Sequence, residues 1–192
     1  MTRQLLTLLF LAAFAASLSA SAEAANPKVL IKTNKGDITL ELYPDKAPVT
    51  VQNFLSYMDE KFYDGLIFHR VIKGFMIQGG GLNAELATRP AKAPIKNEAG
   101  NGLKNARGTI AMARSGEIHS ATCQFFINHA DNAFLDHRDE TAQGFGYCVF
   151  GKVVSGLDVV DAIATAPTMT VHGMKDVPRE TVTIISIRRV EN

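Results

Sequence analysis

Between Asp37 and Leu42 apolar and polar positions alternate: Ile38, Leu40 and Leu42 fall on one face, Asp37, Thr39 and Glu41 on the other. Lys28–Thr33 is a second short alternating segment, with Asn34-Lys35-Gly36 between the two. Period two around a polar, glycine-bearing turn predicts a β-hairpin with one wet face. Pro44-Asp45-Lys46-Ala47-Pro48 ends the strand, and Pro48 suits the first turn of a helix. The period then changes. Val51, Phe54, Leu55 and Met58 recur at i, i+3, i+4 and i+7, an amphipathic helix that stops before Tyr63-Asp64-Gly65. Leu66–Val71 and Phe75–Gln78 read as strands separated by Lys73-Gly74, and an irregular stretch runs from Gly79 to Leu103. Thr109–Ala113, Cys123–Asn128 and Tyr147–Val154 read as further strands, with Asp131–Gln143 a long loop. Ser155-Gly156 opens a second helix, Leu157, Val160 and Ile163 on one face, and Pro167 ends it. Thr181–Val190 is the last strand, burying Val182, Ile184 and Ile187 and keeping Arg188 and Arg189 wet. The sum is about eight short strands and two helices with no repeating strand–helix–strand rhythm, which disfavours a parallel sheet. A mainly β fold fits, an antiparallel barrel or sandwich with two packed helices.

The first 24 residues carry a different pattern. Met1–Arg3 is a short positive start, Leu5–Ala16 an apolar run, and Ala22-Glu23-Ala24 an A-x-A cleavage site. That is the layout of a secretory signal peptide, and the run is short for a membrane span. The expected organisation is residues 1–24 as signal and 25–192 as one folded domain. Composition, at 46% hydrophobic and 20% charged, is that of a globular chain and excludes disorder. A formal charge of +1 gives no reason to expect nucleic acid or an anionic membrane surface as partner. Export would put Cys123 and Cys148 where disulfides persist. One bridge between them and two free thiols are both open from the sequence; free thiols are favoured, since a chain this long can bury a sufficient core without a staple.

Several patterns that could carry chemistry do not hold together. Gly79-Gly80-Gly81-Leu82-Asn83-Ala84 matches G-x-G-x-x-A after a strand, but Arg89-Pro90 would stop the helix that a dinucleotide site needs. His129 and His137 with Asp131 and Asp136 fit no standard metal-ligand spacing. G-x-S-x-G is absent, so a secreted hydrolase has little support. Arg114-Ser115-Gly116 reads as an ordinary polar turn. The segment Tyr63–Gly80 differs. Alternation places Phe68 and Arg70 on one face, and Met76 and Gln78 on one face, so that a guanidinium stands among large apolar groups. That costs several kcal/mol unless the charge is paired or reaches water.

From Tyr63 to Gly80 the chain strongly resembles the cyclophilins, the peptidyl-prolyl cis–trans isomerases. The resemblance continues through Gly108–Ala113, Gln124-Phe125-Phe126-Ile127-Asn128, Phe134-Leu135-Asp136 and Val149-Phe150-Gly151-Lys152-Val153, and spans Val29–Val190. With the leader, it is similar to a bacterial periplasmic member. The resemblance implies a closed eight-stranded antiparallel barrel capped by two helices. It implies Arg70 as the catalytic cation and Phe75, Met76, Phe126 and Leu135 as the proline pocket. Gln78, Ala113 and Gln124 would hold the substrate backbone, and Phe134 would form the rim. Tyr147 stands where many eukaryotic members carry His, Phe134 where they carry Trp, and the His137–Gly146 loop is longer. Weak cyclosporin binding is therefore expected. The implied partners are proline-containing segments of unfolded or partly folded exported proteins, met in the periplasm by a monomer. No cofactor and no metal is called for.

These residue types suit the reaction. An X–Pro bond crosses a barrier of ~18–20 kcal/mol because its nitrogen conjugates with the carbonyl. In the twisted state that nitrogen regains a lone pair, and a guanidinium donating to it stabilises the twisted form over both planar ones. Moving from relaxation over ~10–100 s to ~10³ s⁻¹ takes about five decades, roughly 7 kcal/mol. The competing class is a barrel that holds proline segments without turning them over. Loss of Arg70 or Gln78 would favour it, and both are present.

Overall fold

The computed structural model describes residues 25–190. The signal-peptide expectation for 1–24 lies outside them. The strands are β1 (Lys28–Thr33), β2 (Gly36–Leu42), β3 (Phe68–Ile72), β4 (Met76–Gly79), β5 (Thr109–Met112), β6 (Phe125–Asn128), β7 (Val149–Ser155), β8 (Thr168–Val171), β9 (Met174–Pro178) and β10 (Ile184–Arg189). Helix α1 covers Pro48–Asp59, with Pro48 in its first turn, and α2 covers Leu157–Ala164. Among the described residues no helix is long and apolar enough to cross a membrane.

Eight strands form one antiparallel sheet in the order β10-β1-β2-β7-β5-β6-β4-β3. The sheet curls until its two edges approach, but they do not pair along their length. The seam is a single bridge between Ile67 and Thr183. It is flanked by backbone bonds from Phe68 N–H to the Val182 carbonyl at 2.9 Å and from Ile184 N–H to the Leu66 carbonyl at 2.7 Å. Eight antiparallel strands and two helices are thus present as expected, while the closure is this short seam and not a continuous ladder.

The main core fills the curl. Val29, Ile31, Ile38 and Leu40 from the first hairpin meet Ile110, Phe125, Ile127, Phe150, Ile184 and Ile187, all fully buried. Both helices add their apolar faces to it: Phe54 and Tyr57 from α1, Val160 and Ile163 from α2. Phe54 lies within 5.3–5.6 Å, ring to ring, of Tyr63, Phe125 and Phe150, so α1 is tied to the barrel by an aromatic cluster. Cys123 and Cys148 are both buried free thiols.

Two local features depart from the pattern read along the chain. First, the β3–β4 register shifts between Phe68 and Arg70. Phe68 joins Val71 and Ile77 in the main core, while Arg70 pairs across from Gln78 on the other side of the sheet. Phe68 and Arg70 therefore do not share a face: a bulge at His69 absorbs one residue and inverts the alternation. Second, β8 and β9 form a separate two-stranded hairpin that packs against β3. Its two-residue turn is His172-Gly173, with φ of 47° and 83°. Both values lie in the left-handed region that tight hairpin turns demand.

Candidate functional site

Alternation gives β4, β5, β6 and β7 a second apolar face, outside the curl. Met76, Ala111, Phe126, Leu135 and Val149 form a small buried cluster there, and Ile72, Phe75, Leu103, Ala113 and Tyr147 pack against it half-exposed. Over this cluster opens a cavity of about 130 Å³ lined by Arg70, Phe75, Met76, Gln78, Ala113, Arg114, Phe126, Leu135 and Tyr147. Strand register sets the floor: Gln78 lies opposite both Arg70 and Phe126, and Ala111 opposite Phe126. Leu135 comes from a short 3₁₀ turn at Ala133–Leu135, and Tyr147 lies just before β7, its N–H bonded to the Leu135 carbonyl at 2.9 Å.

Arg70 is the cation of this cavity with free donors. Among the described residues its guanidinium donates no hydrogen bond, and its charged neighbour is Asp176 of β9, Nε to Oδ2 at 4.0 Å. Its Cζ lies 5.9 Å from the Phe75 ring centroid. The side chain is 42% exposed, so the charge keeps part of its hydration while its donors border an apolar floor. Gln78 donates from Nε2 to Gln124 Oε1 at 2.9 Å, and the Gln124 carbonyl accepts the Ala113 N–H at 2.9 Å. Gln124 therefore stands just beyond the first cavity. It lines a second one of about 270 Å³ with Gln78, Ala113, Arg114, Ser115, Ser120 and Thr122.

Of the ten residues singled out from the sequence, eight line the first cavity and Gln124 lines its neighbour. Phe134 stands apart from the lining, 63% exposed, stacked on Phe75 with ring centroids 5.6 Å apart. Arg114, expected in a polar turn, instead lines both cavities. The signal for it was a second arginine directly after the strand expected at Thr109–Ala113. Asp176 escapes the sequence reading because no strand is assigned there to Thr168–Pro178. The Thr-Met-Thr-Val-His-Gly run, alternation ending in an X-Gly turn, was the available sign.

His69, in the bulge beside Arg70, is buried with its Nδ1 lacking any hydrogen-bond partner. Burial, and then the neighbouring Arg70 charge, push its imidazole down to about 4, so it is neutral through the physiological range. The other patterns of the sequence resolve into packing. The glycine run after β4 allows close approach: a Cβ on Gly80, at φ +85°, would lie 2.8 Å from the Phe125 ring, and one on Gly81 2.5 Å from Gln124. Beyond Gly81 the chain forms turns, not a helix. His129, Asp131 and Asp136 are engaged separately. His129 Nδ1 accepts the Gly74 N–H, Asp131 the Arg107 N–H and Asp136 the Asn105 N–H, at 2.9, 2.8 and 2.7 Å.

Residues 28–189 match the family described as cyclophilin type peptidyl-prolyl cis-trans isomerase. Peptidyl-prolyl cis-trans isomerase B of Escherichia coli is 56% identical over 159 residues, covering 83% of this chain and 97% of the relative. Peptidyl-prolyl cis-trans isomerase A of Dickeya dadantii is 48% identical over 185 residues, covering 96% of this chain and 94% of the relative. Among solved structures, a cyclophilin type peptidyl-prolyl cis-trans isomerase of Cryptosporidium parvum superposes with a TM-score of 0.71 at 27% identity, covering 86% of this chain and 99% of that one; it was crystallised in the presence of the dipeptide Ala-Pro. The exposed cation over a small apolar cavity thus sits on a barrel shared with known isomerases, and this chain belongs to the cyclophilin-type peptidyl-prolyl cis-trans isomerases.

Proposed function

We propose that Arg70 is the catalytic group and that the cavity beneath it holds the proline ring. The observation that carries this reading is the pairing of a guanidinium with uncommitted donors and a cavity floored by Met76, Phe126 and Leu135. A proline ring buried on that floor places its nitrogen within reach of the guanidinium. Gln78 and Gln124, already bonded to each other, and the backbone of Ala113 present polar groups along the same side for the flanking peptide. As the X–Pro bond twists, the nitrogen loses conjugation and its lone pair becomes an acceptor. Arg70 donates to it then and not in the planar states, which is the condition for lowering a barrier. No atom is transferred, so no nucleophile or proton relay enters.

The clients we infer are proline-containing stretches of exported proteins still folding in the periplasm. Two things support this: the leader-like pattern of residues 1–24, and the match to the Dickeya isomerase, which at 96% of this chain reaches into those residues. A reporter fused after Ala24 should leave the cytoplasm, and retention there would remove that part of the reading.

The catalytic assignment is tested with a protease-coupled assay on a short proline peptide. Arg70→Ala should lower kcat/KM by about 10²–10³, the scale of losing one transition-state donor. Arg70→Lys should rescue poorly, because a point charge lacks the fork geometry. Activity of Arg70→Ala within threefold of wild type would refute the assignment and favour a binding module.

A further inference from the structure

Arg114 spends its donors in a way that no other side chain around the cavity does. Its Nε donates to the Gly146 carbonyl at 3.0 Å and its Nη2 to the Ala142 carbonyl at 2.7 Å. Nη1 donates to the Ser115 carbonyl at 3.0 Å, with longer contacts to the carbonyls of Gly116 and Glu117 at 3.4 Å each. One guanidinium thus grips two loops, residues 115–117 and residues 142–146. Its flat face does a third thing: Cζ lies 4.9 Å from the centroid of the Tyr147 ring. Tyr147 in turn meets Phe126 of the pocket floor edge to face, at 5.7 Å and 77°. The ring is therefore held between a cation and an aromatic, and both are cavity residues.

We propose that Arg114 is a positioning residue, which fixes the Tyr147 wall of the proline pocket by stapling the two loops around it. The inference rests on the assignment of that pocket to proline. Among the described residues no carboxylate lies within 4.0 Å of the Arg114 side chain, so its charge is not spent on an ion pair. Charge-assisted bonds to carbonyls are stronger than neutral ones, and the planar fork matches acceptors at several angles at once. A cation over an aromatic face adds a further attraction. The loop it grips is also tightly folded: at Gly146, φ +77°, a Cβ would lie 2.6 Å from the backbone of Asp136 and His137. That leaves the loop little freedom to re-form around a shorter side chain. With its donors engaged, Arg114 acts on the substrate through Tyr147, and its effect belongs to binding more than to turnover.

The test compares wild type, Arg114→Ala and Arg114→Lys in the full chain, with Tyr147→Leu alone and combined with Arg114→Ala. Both Arg114 variants should raise KM about five- to twentyfold with kcat within about threefold, the signature of lost ground-state positioning. Amide exchange of residues 142–147 should quicken at least about tenfold in both, because local opening is no longer restrained. In wild type the Tyr147 ring protons should show a shift that the Ala variant loses. Arg114→Ala should add less than about twofold to the KM of Tyr147→Leu, since the two act as one unit. Full rescue of KM by Lys would overturn the proposal by showing that charge alone suffices. Additive effects in the double variant, or unchanged exchange in the loop, would overturn it too. Exchange and ring shifts read the staple without substrate, so a failure of the proline-pocket assignment would show separately, as activity indifferent to Arg70.

Discussion

The interior of the barrel and the pocket on its outer face are built from the same strands and differ in nearly every other respect. Inside, β6 contributes Phe125 and Ile127, fully buried within a cluster that joins eight strands and two helices. Outside, the intervening Phe126 belongs to a patch of five buried side chains ringed by half-exposed ones. The interior is redundant: Phe54 alone has three aromatic neighbours. The outer patch is spare, and its cation is left with donors to give. Burial is thus concentrated on one face of the sheet, and the open cavity with its uncommitted cation lies on the other, one residue apart along the chain.

Truncating the interior is the strongest way to break that division. Phe54→Ala should cost about 3–5 kcal/mol in urea unfolding, through lost burial and an unfilled cavity. Its kcat/KM, measured where the variant is still folded, should stay within about threefold of wild type. A matching fall in kcat/KM would show that the two faces are coupled. Arg70→Ala is the mirror case, with its kinetic loss accompanied by an unfolding free energy within about 0.5 kcal/mol of wild type.

Acid separates the faces next. His69 takes its proton at about 4 when folded, against about 6.5 in an unfolded chain. Between those values the unfolded state binds the proton and the native state does not. Stability should therefore be full above pH 6.5 and fall as pH drops toward 4, by about 3 kcal/mol in all at ~1.4 kcal/mol per pH unit. Below pH 4 both states are protonated and this loss stops growing. Urea titrations at pH 7 and 4.5 check it, and His69→Gln should flatten the difference. Activity should remain nearly level from pH 6 to 8, because a guanidinium keeps its charge throughout that range. A step near pH 6.5 would place a histidine in the catalytic path.

The smallest effect lies at the rim. Phe134→Trp should tighten cyclosporin binding by about one to two decades, through one recovered donor and added stacking area over Phe75. Turnover should barely move. The variant also introduces the sole Trp of the chain, so its fluorescence reports the titration. No gain in affinity would shift attention to Tyr147 and the loop before it.

The elements that periodicity could reach were those whose pattern is uninterrupted. The first hairpin, α1 and α2 were legible because alternation or a 3.6-residue repeat runs through them without a break, and the last strand because its apolar residues are dense enough to survive a register shift between Ile184 and Ser186. Arg70 and Gln78 stood out because polar groups sit among large apolar ones. The bulge at His69 was not legible: it inserts one residue without a glycine or proline to mark it, and so hides which face Phe68 takes. The β8–β9 hairpin was missed because β8 is four residues long with none buried, and β9 sets Lys175 and Asp176 between its apolar positions. Arg114 looked like a surface turn because its partners are backbone carbonyls, which every residue carries and no side-chain pattern announces.

Strand β1 lies between β2 and β10, and Val190 N–H closes on the Lys28 carbonyl at 2.9 Å. The first strand to be made therefore waits for the last. Until β10 has been synthesised and delivered, β1 has one open edge and Ile31 and Val29 lack the partners that bury them. Joining strands so far apart in sequence costs loop-closure entropy and slows folding. A chain arranged this way stays open through the whole of its synthesis, because no barrel can seal ahead of the strand that seals it.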